Sequence, residues 1–294
     1  MPRDAILYCI LHIGIIPANL FMTSDIRKTL NKPPLASEYE DDRHFITAIA
    51  RGLDVLACFR SGNKVLGNQE IAQRCKLPKS TVSRITYTLT RLGYLTHDEE
   101  SSKYQLGMAT LSLGVGLLAK LDIRQVARPL MQALADETQG MVTLGTRDRL
   151  SMLYLENCRS RSALTLSMDV GARIPIVSTA MGRAYLAEIP LQEREEIFGR
   201  VRELDELASD ALMSGIASSL ADYERLGCTC SFGDWQKDVN AIAVGLNLGR
   251  QFPIMSISCG GPSFNLSEQY LLEEARFGLL AVVSKLKETV GQPA

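Results

Sequence analysis

Apolar positions at helical spacing dominate the first third of the chain and predict three successive helices. The first lies in HFITAIARGLDVLACF, where the apolar positions are Ile46, Ile49, Leu53, Leu56 and Ala57. The segment GNQEIAQRC predicts a short second helix, with Asn68 as its cap and with Ile71 and Ala72 directed inward. The segment LPKSTVSRITYTLTRLGYL predicts a third helix, which begins after Leu-Pro and ends before Gly93.

The third predicted helix has two different sides. On a helical wheel the apolar side carries Val82, Ile85, Leu89 and Leu92, which we expect to face the core. The opposite side and its margins are polar and contain no acid: Lys79, Ser80, Thr81, Ser83, Arg84, Tyr87 and Arg91. A solvated helix surface usually mixes both signs of charge. This polar stripe therefore indicates an anionic partner.

The segment after the third helix predicts a β-hairpin. Tyr94-Leu95 and Tyr104–Leu106 would form its strands, with Asp98–Ser102 at the tip. Helix, short turn, helix and hairpin are the order of a winged helix-turn-helix, whose third helix enters the major groove of double-stranded DNA. From Met108 to Gln139 the chain is again helical and strongly apolar, with Pro129 expected at a helix start or kink. A connecting helix with this much apolar surface favours self-association of the chain as a dimer.

From Gly140 onward the pattern changes to short runs rich in β-forming residues, separated by helical stretches. The predicted strands are MVTLGT, SMLYLEN, ALTLSM, VNAIAVGL and IMSISC. The predicted helices include STAMGRAYLAEI, LQEREEIFGRV and ASDALMSGIASSLADYERLG, and a last helix runs from about Ser267 to Val290. The pattern predicts an α+β domain with helices packed on a sheet.

These patterns divide the chain into four parts. Residues 1–42 read as a leader: the first 21 precede a true start at Met22, with a hydrophobic assembly arm as the alternative, and residues 22–42 are expected to be disordered. Residues 43–107 form the winged helix-turn-helix domain, and residues 108–124 form a linker helix. Residues 125–294 form the α+β domain together with the helix that precedes it.

Charge and cysteine content narrow the function. The net charge of the chain is −1, yet the segment between Gly62 and His97 contains six cationic residues and a single acidic one, Glu70. This local excess of positive charge suits phosphate contacts. The seven cysteines are scattered and show no disulfide or zinc spacing, so we expect reduced thiols, a cytoplasmic protein and no bound metal. The apolar run Ala5–Ile16 is too short to span a bilayer, and no membrane partner is expected.

The chain resembles the IclR-type bacterial transcription regulators over roughly residues 44–291. The resemblance rests on FITAIARGLDVLACF, EIAQRCKLPKSTVSRITYTLTRLGYL, DVGARIPIVSTAMGRAYLA, and DVNAIAVGL followed by IMSISCGGPSFNLSE. FITAIARGL and DVGARIP are most similar to the branch that regulates aromatic-acid catabolism. The resemblance implies a winged helix-turn-helix, a linker helix and a GAF-like effector domain, assembled as a dimer or a dimer of dimers. It also implies control by a small organic acid.

The resemblance implies an effector site in the second domain. Carried over to this sequence, its residues are Gly171, Ala172, Val239, Ala241, Ser256 and Ser258, with Tyr154 and Asn157 as further positions. Gly171 is expected to let the backbone approach a ligand closely. The chain departs from the family's SxSGP strand ending through an additional Cys259, so a differently shaped loop is expected there.

An enzyme is not expected. All three histidines precede residue 98, and GxSxG, P-loop and HExxH motifs are absent, so neither catalytic residues nor a cofactor is assigned. The sequence leaves one alternative open, a winged-helix protein whose second domain only mediates assembly and binds no ligand. A screen of small carboxylates for thermal stabilisation distinguishes the two hypotheses.

Overall fold

A computed structural model describes residues 44–290, except 61–64, 120–122, 161–167 and 205. The predicted leader (1–42) and the predicted strand ALTLSM (163–168) lie outside the described residues, apart from Met168. The described chain forms two compact units, which meet in sequence at Val126 and Ala127. Among the described helices, none has the length and apolar character needed to cross a membrane.

The first unit is a winged helix-turn-helix, as predicted. Its helices are α1 (Thr47–Ala57), α2 (Asn68–Cys75) and α3 (Lys79–Arg91), and a 3₁₀ turn (Cys58–Arg60) follows α1. Its short strands are β1 (Leu66–Gly67), β2 (Leu95–Asp98) and β3 (Lys103–Leu106). Strand β3 pairs antiparallel with both β1 and β2, so the sheet order is β1-β3-β2 and the wing is a hairpin.

The core of the first unit fits the helical spacing of its buried residues. Val55, Ile71, Ala72 and Val82 come from the three helices and meet beneath the sheet. Contrary to the prediction, Leu92 is exposed, and Thr86 is buried in the middle of α3. Leu92 is the C-cap of α3, beyond the turns that pack on α1 and α2, whereas Thr86 is held inside by the side chain of Asn68.

Asn68 is not the cap of α2. Gly67 occupies that position, and the side chain of Glu70 accepts a hydrogen bond from the Gly67 N–H at 2.8 Å. Asn68 is the first helical residue, and its side chain reaches α3 instead. Its amide nitrogen lies 3.3 Å from the hydroxyl of Ser83, and its amide oxygen accepts from the hydroxyl of Thr86 at 3.1 Å. Asn68 therefore fixes the crossing of α2 and α3.

The apolar positions of α1 do not all face the core. Ile46 at the cap of α1, Ile49 and Leu53 are 62%, 59% and 59% exposed, whereas Val55 is fully buried. The helix was predicted correctly, but three of its five predicted apolar positions form an outward surface, whereas Leu56 packs against the core. We refer to Ile46, Ile49 and Leu53 as the α1 apolar surface.

Two helices follow the wing. Helix α4 (Met108–Ala119) lies within the predicted linker and exposes Met108, Leu111 and Leu113. Helix α5 (Ile123–Thr138) contains Pro129 in its interior rather than at its start. The buried residues of α5 include Ala127, Met131, Leu134 and Ala135.

The second unit is α+β. Its strands are β4 (Met141–Asp148), β5 (Ser151–Arg159), β6 (Arg173–Pro175), β7 (Thr229–Phe232), β8 (Val239–Leu246) and β9 (Met255–Pro262). Its further helices are α6 (Ala180–Glu188), α7 (Leu191–Leu204), α8 (Glu206–Leu226), α9 (Glu268–Tyr270) and α10 (Arg276–Val290), with a π-helical turn (Leu271–Ala275) before α10.

The described strands of the second unit form a single antiparallel sheet in the order β6-β5-β4-β9-β8-β7. The last strand, β9, lies between β4 and β8 and continues through Cys259 to Pro262. The expected loop after Ser258 is therefore a strand, and Cys259 is fully buried beside Thr138. Paired residues of neighbouring strands point to the same side, so Thr143, Ser258 and Ala243 share one side of the sheet.

Helix α6 packs unusually close to the chain before it because of Gly182. A Cβ atom at this position would lie 1.9 Å from the carbonyl oxygen of Ile176. The backbone N–H of Gly182 also donates to the hydroxyl of the cap residue Thr179, which fixes the start of α6. Glycine at this position is therefore a packing requirement.

We expect Gly182→Ala to destabilise the second unit, because the added methyl group overlaps a buried backbone oxygen. Overpacking of this kind costs about 1–3 kcal/mol of unfolding free energy. The control is Gly199→Ala, a helical glycine of α7 with open space around the added Cβ. It should raise stability by roughly 0.5–1 kcal/mol, since Ala favours a helix interior over Gly. Urea unfolding of both variants measures these opposite signs, and a Gly182→Ala protein as stable as the parent would contradict the assignment.

Candidate functional site

The predicted polar stripe on α3 is a solvent-facing surface. Tyr87 is 67% exposed and Arg84 lies beside it, one turn along the helix. The exposed members of the stripe are Lys79, Ser80, Ser83, Arg84, Tyr87 and Arg91, and Thr81 is half-buried. All seven predicted residues belong to one helix whose opposite side is packed on α1, α2 and β2. The stripe can therefore approach a large partner without rearranging the core.

Threonine hydroxyls inside α3 bond to the helix itself. Thr88 donates to the carbonyl oxygen of Arg84 and Thr90 to that of Thr86, at 2.9 and 2.8 Å. These two hydroxyl groups are occupied within the helix. The stripe itself presents guanidinium groups, Tyr87 and serine hydroxyls, of which that of Ser83 also accepts a hydrogen bond from α2. These groups match the usual partners of phosphates and base edges.

The second unit contains a small cavity of about 30 Å³ between the sheet and the start of α6. Four of the predicted effector residues line it: Tyr154, Val239, Ala241 and Ser258. Apolar side chains from other elements complete much of the wall, among them Met141, Ile174, Met181 and Trp235. A void of this volume holds about one or two water molecules, so a larger ligand requires the walls to move apart.

The first turn of α6 borders the cavity through Thr179, Ala180 and Met181. The N–H groups of a first helical turn have no partner within the helix, and the helix dipole adds partial positive charge there. Ser178 precedes the cap, and its buried hydroxyl has no hydrogen-bond partner among the described residues. This end of the cavity is therefore suited to an anion.

Tyr154 supplies a hydroxyl in the same cavity. Burial raises the pKa of this hydroxyl well above its ordinary value, despite the opposing influence of Arg159. The hydroxyl therefore stays protonated at neutral pH and can donate a hydrogen bond to a ligand. Ser258 and Ser231 add two more hydroxyl groups to the lining.

The other four predicted effector residues lie outside the cavity lining. Ser256 is fully buried, and its hydroxyl donates to the carbonyl oxygen of Met181 at 2.9 Å. The amide of Asn157 donates to the carbonyl oxygen of Met168 at 2.6 Å. Gly171 and Ala172 exchange backbone hydrogen bonds with Tyr154. These residues hold the cavity walls in place.

Gly171 has a φ of +87°, a backbone conformation that favours glycine, and nothing lies within 4 Å of a Cβ built at this position. Its close approach to a ligand stays a prediction. Gly182 in α6 does permit close contact through its missing Cβ, but with the backbone of Ile176. The segment Thr179–Met181, seven to nine residues after Ala172, borders the cavity directly.

Nothing in the sequence indicated an ion pair between a buried arginine and a half-buried aspartate beside the cavity. Arg183 is 4% exposed, and its guanidinium donates to Asp234 at 2.6 Å and to the carbonyl oxygen of Cys230 at 2.7 Å. Asp234 directly precedes Trp235, so the pair anchors the loop that carries this cavity residue. No spacing rule connects positions 183 and 234, and only the fold brings them together.

The two units match two parts of one protein family. The model for the IclR helix-turn-helix domain matches residues 48–99, and the model for the bacterial transcriptional regulator IclR C-terminal domain matches residues 115–287. The chain belongs to the IclR family of bacterial transcriptional regulators. The family resemblance noted in the sequence is confirmed.

Individual relatives agree. The HTH-type transcriptional regulator TsaQ1/TsaQ2 of Comamonas testosteroni is 38% identical over 228 residues, which cover 76% of this chain and 81% of the relative. The crystal structure of an IclR family transcriptional regulator from Brucella abortus is 41% identical, with a TM-score of 0.74, and the match covers 88% of this chain and all of that one. This IclR-family chain thus has the fold of a solved relative over most of its length.

A second solved structure carries a ligand. An IclR homolog from Microbacterium hydrocarbonoxydans, complexed with 4-hydroxybenzoate, shares 24% identity and a TM-score of 0.63, over 81% of this chain and 99% of that one. At this identity the match shows a common fold. The IclR-family assignment identifies the molecule as a transcription regulator.

Proposed function

We propose that this IclR-family regulator binds paired operator half-sites in double-stranded DNA through α3, and that a small organic acid in the second unit controls this binding. The acid-free stripe on α3 is the observation that carries the proposal. The proposal divides the chain as the sequence did, into a DNA-binding part (43–107), a linker (108–124) and an effector part (125–294). It places the protein in the cytoplasm with its DNA and assigns it no catalytic step.

Within the stripe, different residues would make different contacts. Arg84 and Tyr87 lie at its centre, with Ser80, Thr81 and Ser83 toward the start of the helix, and these would reach base edges in the major groove. Lys79 and Arg91 lie at the two ends of α3, where they would contact the phosphate backbone. One such helix covers one half-site, so specificity requires a second copy.

The exposed apolar residues support self-association. The α1 apolar surface puts three large apolar side chains in water on one side of a helix, and α4 exposes three more, Met108, Leu111 and Leu113. Contiguous exposed apolar surface is characteristic of protein interfaces. We propose that a second copy of the chain covers these residues in a dimer, and that two dimers pair through the second unit.

The effector proposal follows from the chemistry of the cavity. An anion suits the start of α6, hydroxyl donors are available from Tyr154 and Ser258, and the walls are largely apolar and include Trp235. A small aromatic carboxylate combines these features. We propose that its carboxylate binds at Ala180 and Met181, with Val239 and Ala241 against its carbon skeleton.

The other predicted effector residues would act indirectly. Ser256, Asn157, Gly171 and Ala172 hold the cavity walls through hydrogen bonds, so substitutions there would alter the shape of the cavity. Since the cavity is smaller than an aromatic acid, binding favours a state with the walls farther apart. A ligand that prefers one of two states shifts the population toward that state. Occupancy of the cavity would change operator binding through this shift.

The alternative is a second unit that serves assembly alone. A thermal-shift screen separates the two, because a ligand that binds only the folded state stabilises it by about 2.7 kcal/mol at a hundredfold excess over its Kd. The panel consists of small aromatic and aliphatic carboxylates and begins with 4-hydroxybenzoate, the ligand of the Microbacterium structure. We expect at least one of them to raise the Tm, and no shift with any of them would favour assembly alone.

A variant that fills the cavity provides the control for this screen. Ala241→Leu adds a branched side chain to the lining and should abolish the Tm shift while leaving operator binding in place. Ala281→Leu makes the same change on the exposed side of α10 and should keep the full shift. A shift that persists in the Ala241→Leu protein would place the ligand elsewhere.

A further inference from the structure

Two cysteine thiols meet inside the winged helix-turn-helix. Cys58 begins the 3₁₀ turn after α1, and Cys75 is the last residue of α2. Their sulfur atoms are 3.1 Å apart, although the residues are 17 positions apart in sequence. A disulfide bond has an S–S length of about 2.0 Å, so a closer approach of roughly 1 Å would join them. The scattered cysteine spacing gave no sign of this pair.

The two thiols differ in environment. Cys58 is half-buried, whereas Cys75 is buried. The hydrogen bond from Cys75 and, less strongly, the charge of Arg74 lower the pKa of Cys58, although burial and Asp54 oppose them. The same hydrogen bond and burial raise the pKa of Cys75. Arg74 is held nearby, because its guanidinium donates to the carbonyl oxygen of Cys58 at 3.0 Å. Because Cys58 is the more accessible of the two thiols, we assign it the attacking role and Cys75 the role of the thiol that resolves the product.

We propose that Cys58 and Cys75 are a peroxide-oxidisable pair, and that the disulfide between them weakens operator binding. The oxidant is hydrogen peroxide. The Cys58 thiolate attacks one peroxide oxygen, the O–O bond breaks, and the departing hydroxide takes a proton to form water. Cys75 then attacks the resulting sulfenic sulfur, and the displaced hydroxide leaves as a second water with the Cys75 proton. Two thiols lose two electrons, and one peroxide becomes two waters.

The position of Cys75 connects this reaction to DNA binding. Lys76, the next residue, has a left-handed φ of 54°, and Pro78 caps α3 two residues later. This tight turn sets the position of the first residues of the stripe. A shift of Cys75 toward α1 would move the turn with it, and a recognition surface needs its groups within about 0.5 Å of their productive positions.

The chemical step is tested with the full chain, reduced and then treated with hydrogen peroxide. After alkylation of free thiols and digestion with trypsin, mass spectrometry should find the peptide Gly52–Arg60 joined to Cys75–Lys76. The cross-linked peptide should disappear with dithiothreitol and be absent from the Cys75→Ser protein. A folded, peroxide-treated protein that lacks this cross-link overturns the proposal.

The functional step uses a DNA duplex that the reduced wild-type protein has selected from a random library. Oxidation should lower affinity for this duplex at least tenfold, and dithiothreitol should restore it. The Cys58→Ser and Cys75→Ser proteins should keep their affinity under peroxide, whereas Cys230→Ser, with the pair intact, should respond like the wild type. A cross-linked protein with unchanged affinity also overturns the proposal.

Failure of this proposal is distinguishable from failure of the DNA-binding function. If the reduced wild-type protein selects no duplex, the DNA-binding function assigned to α3 is wrong. The proposed redox switch depends on that function and would then be wrong as well. If it selects one and peroxide leaves its affinity unchanged, only the switch is wrong. Circular dichroism of each serine variant shows whether it folds, and either variant alone suffices for the comparison.

Discussion

Arg84→Ala is expected to abolish specific operator binding while leaving the fold intact. Arg84 is exposed at the centre of the stripe, and its side chain takes no part in the core. A side chain that reads a base contributes about 1–3 kcal/mol of discrimination. Two copies in a dimer would therefore lose about 2–6 kcal/mol, a weakening of roughly 30-fold to 10⁴-fold. Electrophoretic retardation of a selected duplex, with excess non-specific DNA present, measures this loss.

The matched control for this variant is Arg250→Ala. Arg250 is an exposed arginine in the second unit, so the substitution removes the same charge far along the sequence from the stripe. Its protein should bind the duplex as the parent does. The Arg84→Ala protein should also keep its weaker, non-specific binding, which depends on phosphate contacts. Undiminished specific retardation by Arg84→Ala would refute the assignment of α3 as the base-reading helix.

Leu53→Glu is expected to abolish self-association through the first unit. Leu53 is exposed within the α1 apolar surface, so the substitution should leave the monomer fold intact. A buried carboxylate in an apolar interface, however, carries a large desolvation cost. Loss of the second half-site contact should lower operator affinity by about 10²–10⁴-fold, because linked binding gains that much from effective concentration. Sedimentation and retardation assays should change together.

Ala48→Glu separates this effect from that of a charge on α1. Ala48 is exposed on the same helix, but it lies about 130° away from the centre of the α1 apolar surface on a helical wheel. Its protein should keep the assembly state and operator affinity of the parent. Equal losses in both variants would mean that α1 as a whole contacts DNA or supports the fold, and that the α1 apolar surface is not the interface.

Much of the fold could be predicted because its helices and strands follow simple periodicities. The three helices of the first unit and the wing were each visible as a spacing pattern, and the structure agrees with them. Periodicity could not tell whether an apolar surface faces the core or a second molecule, and α1 shows this limit. Nor could it identify Asn68 as a contact between helices, since asparagine at that position also suits a cap.

The sequence predicted the stripe on α3 more completely than the cavity of the second unit. The stripe lies on one continuous helix, so helical geometry alone brings its residues together. The cavity draws on β4, β5, β8, β9 and α6, and no local rule places these elements side by side. Family resemblance predicted four of the residues that line the cavity: Tyr154, Val239, Ala241 and Ser258. It did not predict Ala180 and Met181, because it pointed to the Gly-Ala pair at 171–172 instead. Arg183 and Asp234 had no local signal at all.

The threonine-rich composition of α3 limits how small a working DNA-binding fragment can be. Six of its residues are β-branched (Thr81, Val82, Ile85, Thr86, Thr88 and Thr90), and such residues have low intrinsic helix propensity. An isolated segment of 13 residues with this composition is too short and too weakly helical to hold its shape in water. The helix exists because α1, α2 and β2 pack against it. The smallest DNA-binding fragment of this protein must therefore retain the whole three-helix scaffold. Transfer of the stripe to another protein requires a host helix that is stable by itself.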